Sequence, residues 1–227
     1  MLRQFENELE ELKTNILKMA SLVDEQVENS FNDMENAEIR MHDIVKAQDK
    51  EVDAYDNLIM AQCENFLALY QPVATDLRFI LTAIRIDSQL ERCGDIAVNI
   101  VQRVKKTEKF RHLLSETKLF EMGKTVRTMV KDAITAFINN DTKLAKEVML
   151  RDDEVDKYNK NVFKELISKM QNDPSVIKPC AHLIVLTRHM ERLADHATNI
   201  AEDVIFLVDA EIVSHQKKLK DYKFPDR

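Results

Sequence analysis

Glycine is nearly absent from this chain. Two occur in 227 residues, beside four prolines and no tryptophan. Strands and tight turns need more punctuation than that. With Leu, Ala, Glu, Lys and Met plentiful, the chain reads as helical with few, short connections. Two glycines also leave no way to write a P-loop or a dinucleotide-binding fingerprint, which removes kinase, ATPase and Rossmann readings. Positive charge is in deficit: 33 Lys and Arg against 40 Asp and Glu give a formal net charge of -7. An acidic chain lacks the electrostatic footprint of a nucleic-acid binder and favours cations and basic surfaces. No apolar run approaches the roughly 18–20 residues of a membrane span. The opening Met1-Leu2-Arg3-Gln4-Phe5-Glu6 has no signal-peptide core. Cys63, Cys93 and Cys180 are scattered and form no CxxC pair. They read as reduced thiols filling small apolar positions, and the expected compartment is the cytoplasm.

What the chain does have is a repeat. Glu91-Arg92-Cys93-Gly94-Asp95-Ile96-Ala97-Val98-Asn99-Ile100 recurs as Glu191-Arg192-Leu193-Ala194-Asp195-His196-Ala197-Thr198-Asn199-Ile200, identical at six of ten positions. A shared core explains repeated Leu and Ile; it does not explain repeated Glu, Arg, Asp and Asn. Upstream, Asp49-Lys50-Glu51-Val52-Asp53-Ala54-Tyr55 aligns with Asp152-Asp153-Glu154-Val155-Asp156-Lys157-Tyr158. Met19, Val23, Val27 and Phe31 align with Met122, Val126, Val130 and Ile134. The offset falls from 103 to 100 between these blocks, so the second copy is three residues shorter before its third helix.

Within each copy the apolar residues step by threes and fours. Phe79, Ala83, Ile86, Leu90, Cys93, Ala97, Ile100 and Val104 form one seam; Leu183, Leu186, Met190, Leu193, Ala197, Ile200 and Val204 form its counterpart. Breaks at Asn36-Ala37-Glu38, Gln71-Pro72, Lys105 to Leu114, Asn139-Asn140-Asp141 and Asn172-Asp173-Pro174 predict helices over 3–36, 40–70, 74–107, 114–139, 142–171 and 175–215. Asp76 and Asp173 are helix-start signals. The connections are short, so neighbouring helices should be antiparallel. The expected fold is all-α, a tandem repeat of two antiparallel three-helix bundles. Residues 1–108 form the first repeat, 109–215 the second and 216–227 a polar tail.

Residues four apart share a helix face. Glu91 with Asp95, and Asp49 with Asp53, can therefore meet as one four-carboxylate patch between the second and third helices; Asp152, Asp156, Glu191 and Asp195 repeat it. At about 6 Å each pair of such charges repels by roughly 1–3 kcal/mol. Arg92 and Arg192, protonation, or a bound cation must offset this. An all-oxygen set suits hard cations such as magnesium, manganese, calcium or ferric iron. The acids point away from the seam, so the clusters should be open and on the surface. His189 and His196 lack counterparts in the first copy and read as local solvated or capping residues. No histidine has Glu three residues before it, which disfavours ferritin-like di-iron catalysis. No nucleophile–base set is legible, so no catalytic residue is expected.

Two segments carry a family resemblance. Gln71-Pro72-Val73-Ala74-Thr75-Asp76-Leu77-Arg78 and Glu191-Arg192-Leu193-Ala194-Asp195-His196-Ala197-Thr198-Asn199-Ile200-Ala201-Glu202 resemble motifs of the PhoU family of phosphate-uptake regulators. The resemblance implies a cytoplasmic, often dimeric all-α regulator that represses the phosphate-starvation response. It implies contacts with the phosphate ABC transporter, through its ATP-binding subunit, and with a sensor histidine kinase. It also implies metal clusters, iron among them, held by Asp49, Asp53, Glu91 and Asp95 in one copy and by Asp152, Asp156, Glu191 and Asp195 in the other. Such a protein touches the membrane only through its partners, binds no nucleic acid and is not an enzyme. A metal-dependent phosphohydrolase is the alternative. The second copy does not reproduce Gln71–Arg78, so any role of that segment is one-sided.

Overall fold

A computed structural model describes residues 2–36 and 41–213. Among them six long helices account for almost everything. They are α1 (Leu2–Glu35), α2 (His42–Leu69), α3 (Ala74–Lys106), α5 (Leu119–Asn139), α6 (Thr142–Asn172) and α7 (Ile177–Asp209). A single helical turn, α4 (His112–Ser115), and two 3-10 turns, Glu108–Phe110 and Pro174–Val176, fill the joints. Helices α1 to α3 pack on one another, as do α5 to α7, giving the two three-helix bundles.

The boundaries follow local chemistry. Asp141 caps α6 by accepting from the backbone N–H of Lys143 and of Leu144, each at 3.0 Å. Just before it, α5 closes in a Schellman arrangement: Asn140 is left-handed (φ 52°) and the Asp141 N–H reaches Ala136 O at 2.8 Å. Asp173 caps the Pro174 turn through Ser175 N–H at 2.8 Å, while Asp76 lies in the first turn of α3.

Two predicted ends move by more than two residues. The fourth long helix begins at Leu119 instead of 114, because the buried Thr117 hydroxyl donates to Leu113 O at 2.9 Å and holds the preceding turn closed. Leu113 and Leu114 of that turn still reach the core. The last helix stops at Asp209 instead of 215, where Ala210 turns left-handed (φ 58°). The predicted tail, 216–227, lies outside the described residues.

The bundles share one continuous apolar core. Along their joint, Arg85 pairs with Asp203 at 2.6 Å, Gln89 meets His196 and Asn199, and Arg103 meets His182 at 3.5 Å. Rising numbers on α3 match falling numbers on α7, so the two run antiparallel and the repeated decads lie side by side at their crossing. On the other side of the joint, Arg127 of α5 reaches Glu28 (3.2 Å) and Glu35 (4.0 Å) of α1.

Candidate functional site

The acids that the repeat singled out gather between α2 and α3 in the first copy. Asp49 is half-buried, Asp53 exposed, Glu91 half-buried and Asp95 exposed. Burial, and then the charges of Asp53 and Asp95, push the Asp49 carboxyl up; a hydrogen bond from Gln26 works against them. Glu91 is pushed up by burial first, then by Asp95, Asp56 and Asp53, with Arg92 opposing. The four residues thus form one electrostatic unit across the two helices. Glu91 is less outward than the seam implied, since its half-buried side chain leans into the α2–α3 groove.

Two acids extend this patch that the spacing argument passed over. Asp87, one turn before Glu91, is fully buried, and neither of its oxygens has a donor. Burial, Asp56 and Glu91 push its carboxyl up to about 8. Asp56 stands within hydrogen-bonding reach, and a bond between two carboxyls requires that one keep its proton. The run Asp87-x-x-x-Glu91-x-x-x-Asp95 was legible as three acids on one face; its buried member was not, because the seam assigned that turn to Ile86 and Leu90. Gln26 was also missed. Fully buried on α1, it donates to Val45 O (3.2 Å), Asp49 Oδ1 (3.3 Å) and Gly94 O (3.3 Å), tying the patch to all three helices. Glycine at 94 gives the Gln26 amide its room: a Cβ there would stand 2.8 Å from Gln26 Oε1 and force it to shift.

The second copy repeats the frame but not these additions. Asp152 and Glu191 are half-buried, Asp156 and Asp195 exposed. Thr187 replaces Asp87 and bonds its own helix at Leu183 O (2.8 Å), Asn159 replaces Asp56, and Met129 replaces Gln26. The cation beside Glu191 is Arg188, at 3.7 Å, not Arg192 as its place in the motif suggested. Among the described residues no group of three or more His, Cys, Asp or Glu side chains is arranged to hold a metal ion. The donor set is still all oxygen, the kind hard cations take.

His189 and His196 are not the solvated residues that their lack of a counterpart suggested. His196 donates to Gln89 Oε1 at 2.7 Å inside the α3–α7 joint. Burial, then Arg92 and Arg192, push it down to about 4, so it is neutral. His189 is half-buried, with neither ring nitrogen partnered. All three cysteines are buried and free, and burial pushes the Cys63 and Cys93 thiols up to about 12. Neither can serve as a thiolate nucleophile. The Gln71–Arg78 segment makes the α2–α3 turn with two non-glycine residues at positive φ, Gln71 (47°) and Ala74 (49°). Its Thr75 and Asp76, with Phe79 just beyond it, line a cavity of about 530 Å³ together with Lys13, Leu207 and Val208.

An all-α chain of two head-to-tail three-helix repeats, each with acids between its second and third helices, is a distinct class of protein. The PhoU domain model matches residues 16–104 and again 119–204. The chain belongs to the PhoU family. It is 34% identical over 219 residues to the phosphate-specific transport system accessory protein PhoU homolog of Caulobacter vibrioides, covering 96% of this chain and 95% of that one. It is 39% identical over 209 residues to the homolog of the same name from Aquifex aeolicus, covering 92% and 95%. The crystal structure of PhoU from Pseudomonas aeruginosa superimposes with a TM-score of 0.84 at 32% identity, covering 91% of this chain and all of that one. Among the described residues no helix is long and apolar enough to cross a membrane.

Proposed function

We propose that this protein regulates phosphate uptake and represses the phosphate-starvation response. It acts as a cytoplasmic adaptor, a homodimer, between the ATP-binding subunit of a phosphate ABC transporter and a sensor histidine kinase. The observation that carries this reading is the double match to the PhoU domain, together with relatives named as accessory proteins of phosphate-specific transport. The absence of any legible nucleophile–base set supports an adaptor over an enzyme. Deleting the gene should switch on a phosphate-starvation reporter in phosphate-rich medium; a reporter that stays silent would overturn the reading. Steady phosphatase turnover by the pure protein with magnesium, manganese or iron, lost in Asp95→Ala, would replace the adaptor by a phosphohydrolase.

The acid patches are proposed to hold hard metal cations: iron, magnesium or manganese. Asp49, Asp53, Glu91 and Asp95 would ligate in the first copy, and Asp152, Asp156, Glu191 and Asp195 in the second. A cation would supply the charge that the first patch lacks, and its ligands would have to swing together to take it. Binding to the folded state alone raises stability by mass action. Melting curves should rise with added metal, and the rise should vanish in a Glu91→Gln, Glu191→Gln double variant. An equal rise in that variant excludes these two residues as ligands.

A further inference from the structure

Each repeat leaves an apolar groove between its second and third helices, at matching places. In the first copy the groove is about 710 Å³, with Met60, Leu67 and Ile84 on its walls and Glu64 as its charge. In the second it is about 480 Å³, with Phe163, Ile184 and Val185 on its walls and Lys160, Lys164 and Arg188 around them. The repeat offsets make Phe163 the counterpart of Met60 and Ile184 that of Ile84. The three cations stand where the first copy has Asn57, Ala61 and Ser88. A chain of net charge -7 thus gathers positive charge around one aromatic ring, and only in one copy: Lys160 and Lys164 from α6, and from α7 the exposed Arg188, which also lies 3.7 Å from Glu191. Phe163 is 50% exposed there.

We infer that the α6–α7 groove docks an acidic amphipathic helix of a partner protein. The walls are helices, whose own backbone donors are already used, so an extended peptide would lie on them with unpaired N–H and C=O groups. A helix satisfies its own backbone and offers apolar residues at i, i+4 and i+7 to the Phe163–Val185 floor. Acids flanking that stripe meet Lys160 and Lys164 on one wall and Arg188 on the other. The inference rests on the adaptor reading and gives it one contact surface.

The test is fluorescence anisotropy with a labelled helical peptide carrying leucine at i, i+4 and i+7 between glutamates, and a second with lysines for the glutamates. The acidic peptide should bind, and the basic one at least about tenfold more weakly. Phe163→Asp, at a half-exposed position that leaves folding intact, should weaken the acidic peptide about tenfold or more. Lys160→Glu with Lys164→Glu should reverse the preference, and Met60→Asp in the first groove should change nothing. Equal binding of both peptides, or full affinity in Phe163→Asp, overturns the proposal. So does a dimer in sedimentation that falls apart in Phe163→Asp while neither peptide binds, since a second copy would then fill the groove. In cells, a Phe163→Asp strain that represses the starvation reporter fully while the deletion strain does not overturns the groove and leaves the regulatory reading standing.

Discussion

At the scale of single residues, the most informative is Asp87. It is fully buried beside Asp56, with its carboxyl held up at about 8. An acid raised in the folded state binds its proton more tightly there than in the unfolded chain, where its ordinary value is about 3.9. Between those values the folded state holds more protons, so stability falls as pH rises from about 4 to 8. Asp87→Asn keeps the shape and removes the charge. It should flatten that fall and raise stability at pH 8, on the order of a few kcal/mol, read from urea midpoints across the pH range. The same slope in variant and parent would show that Asp87 is not the source. Gly94 gives a second prediction. Gly94→Ala gains helix propensity of about 1 kcal/mol, but its Cβ would meet Gln26 Oε1, whose amide is fixed by three acceptors. The net effect should be a loss of about 1–2 kcal/mol. Because the clash is with one side chain, Gln26→Ala in the same chain should shrink that loss in a double-mutant cycle.

At the scale of elements, the sequence pattern located the six long helices and the residues that face inward. The seams of α3 and α7 are buried residue for residue from Ala83 to Val104 and from Leu183 to Val204. Apolar periodicity carries that information because burial acts on every turn. It carries none about joints, which depend on one hydroxyl or one left-handed residue. Thr117, which parts α4 from α5, and Ala210, which ends α7, look ordinary in sequence. Where a joint uses a known cap, it was visible, as at Asn140-Asp141. Asp141→Ala removes two backbone hydrogen bonds and should lower stability by about 0.5–2 kcal/mol in thermal unfolding. The joint between α3 and α7 is more sensitive. Asp203 is 1% exposed and is pushed up to about 7 by burial, against the pull of Arg85. Arg85→Ala leaves that carboxyl unpaired and should cost about 2–4 kcal/mol at pH 8, the half-exposed guanidinium keeping the figure below that of a fully buried pair. A pair of leucines at both positions should restore most of it.

At the scale of the whole molecule, duplication made the acids legible, and divergence between the copies made them unequal. The four-residue spacing put Asp49, Asp53, Glu91 and Asp95 in one expected patch, and the charges of Asp53 and Asp95 act on both Asp49 and Glu91. It said nothing of how the copies meet, because the joint is built from residues with no repeat partner, such as Gln89, His196 and Arg85. That joint is a packed core and not a hinge. Gly123 of α5 has Met34 and Phe31 of α1 so close that a Cβ would stand 2.8 Å from Met34 Cε, and the buried Phe31 and Met34 look directly into the other repeat. Removing one repeat would expose these side chains together with the α7-facing stripe of α3, an apolar area that a monomeric bundle does not keep in water. Residues 1–108 expressed alone should therefore fail to melt as a cooperative monomer. Circular dichroism should show helix without a sharp transition, or sedimentation should show the fragment paired with itself. A monomeric fragment with a sharp transition near that of the full chain would mean that each repeat is a self-sufficient domain and that the shared core contributes little to either.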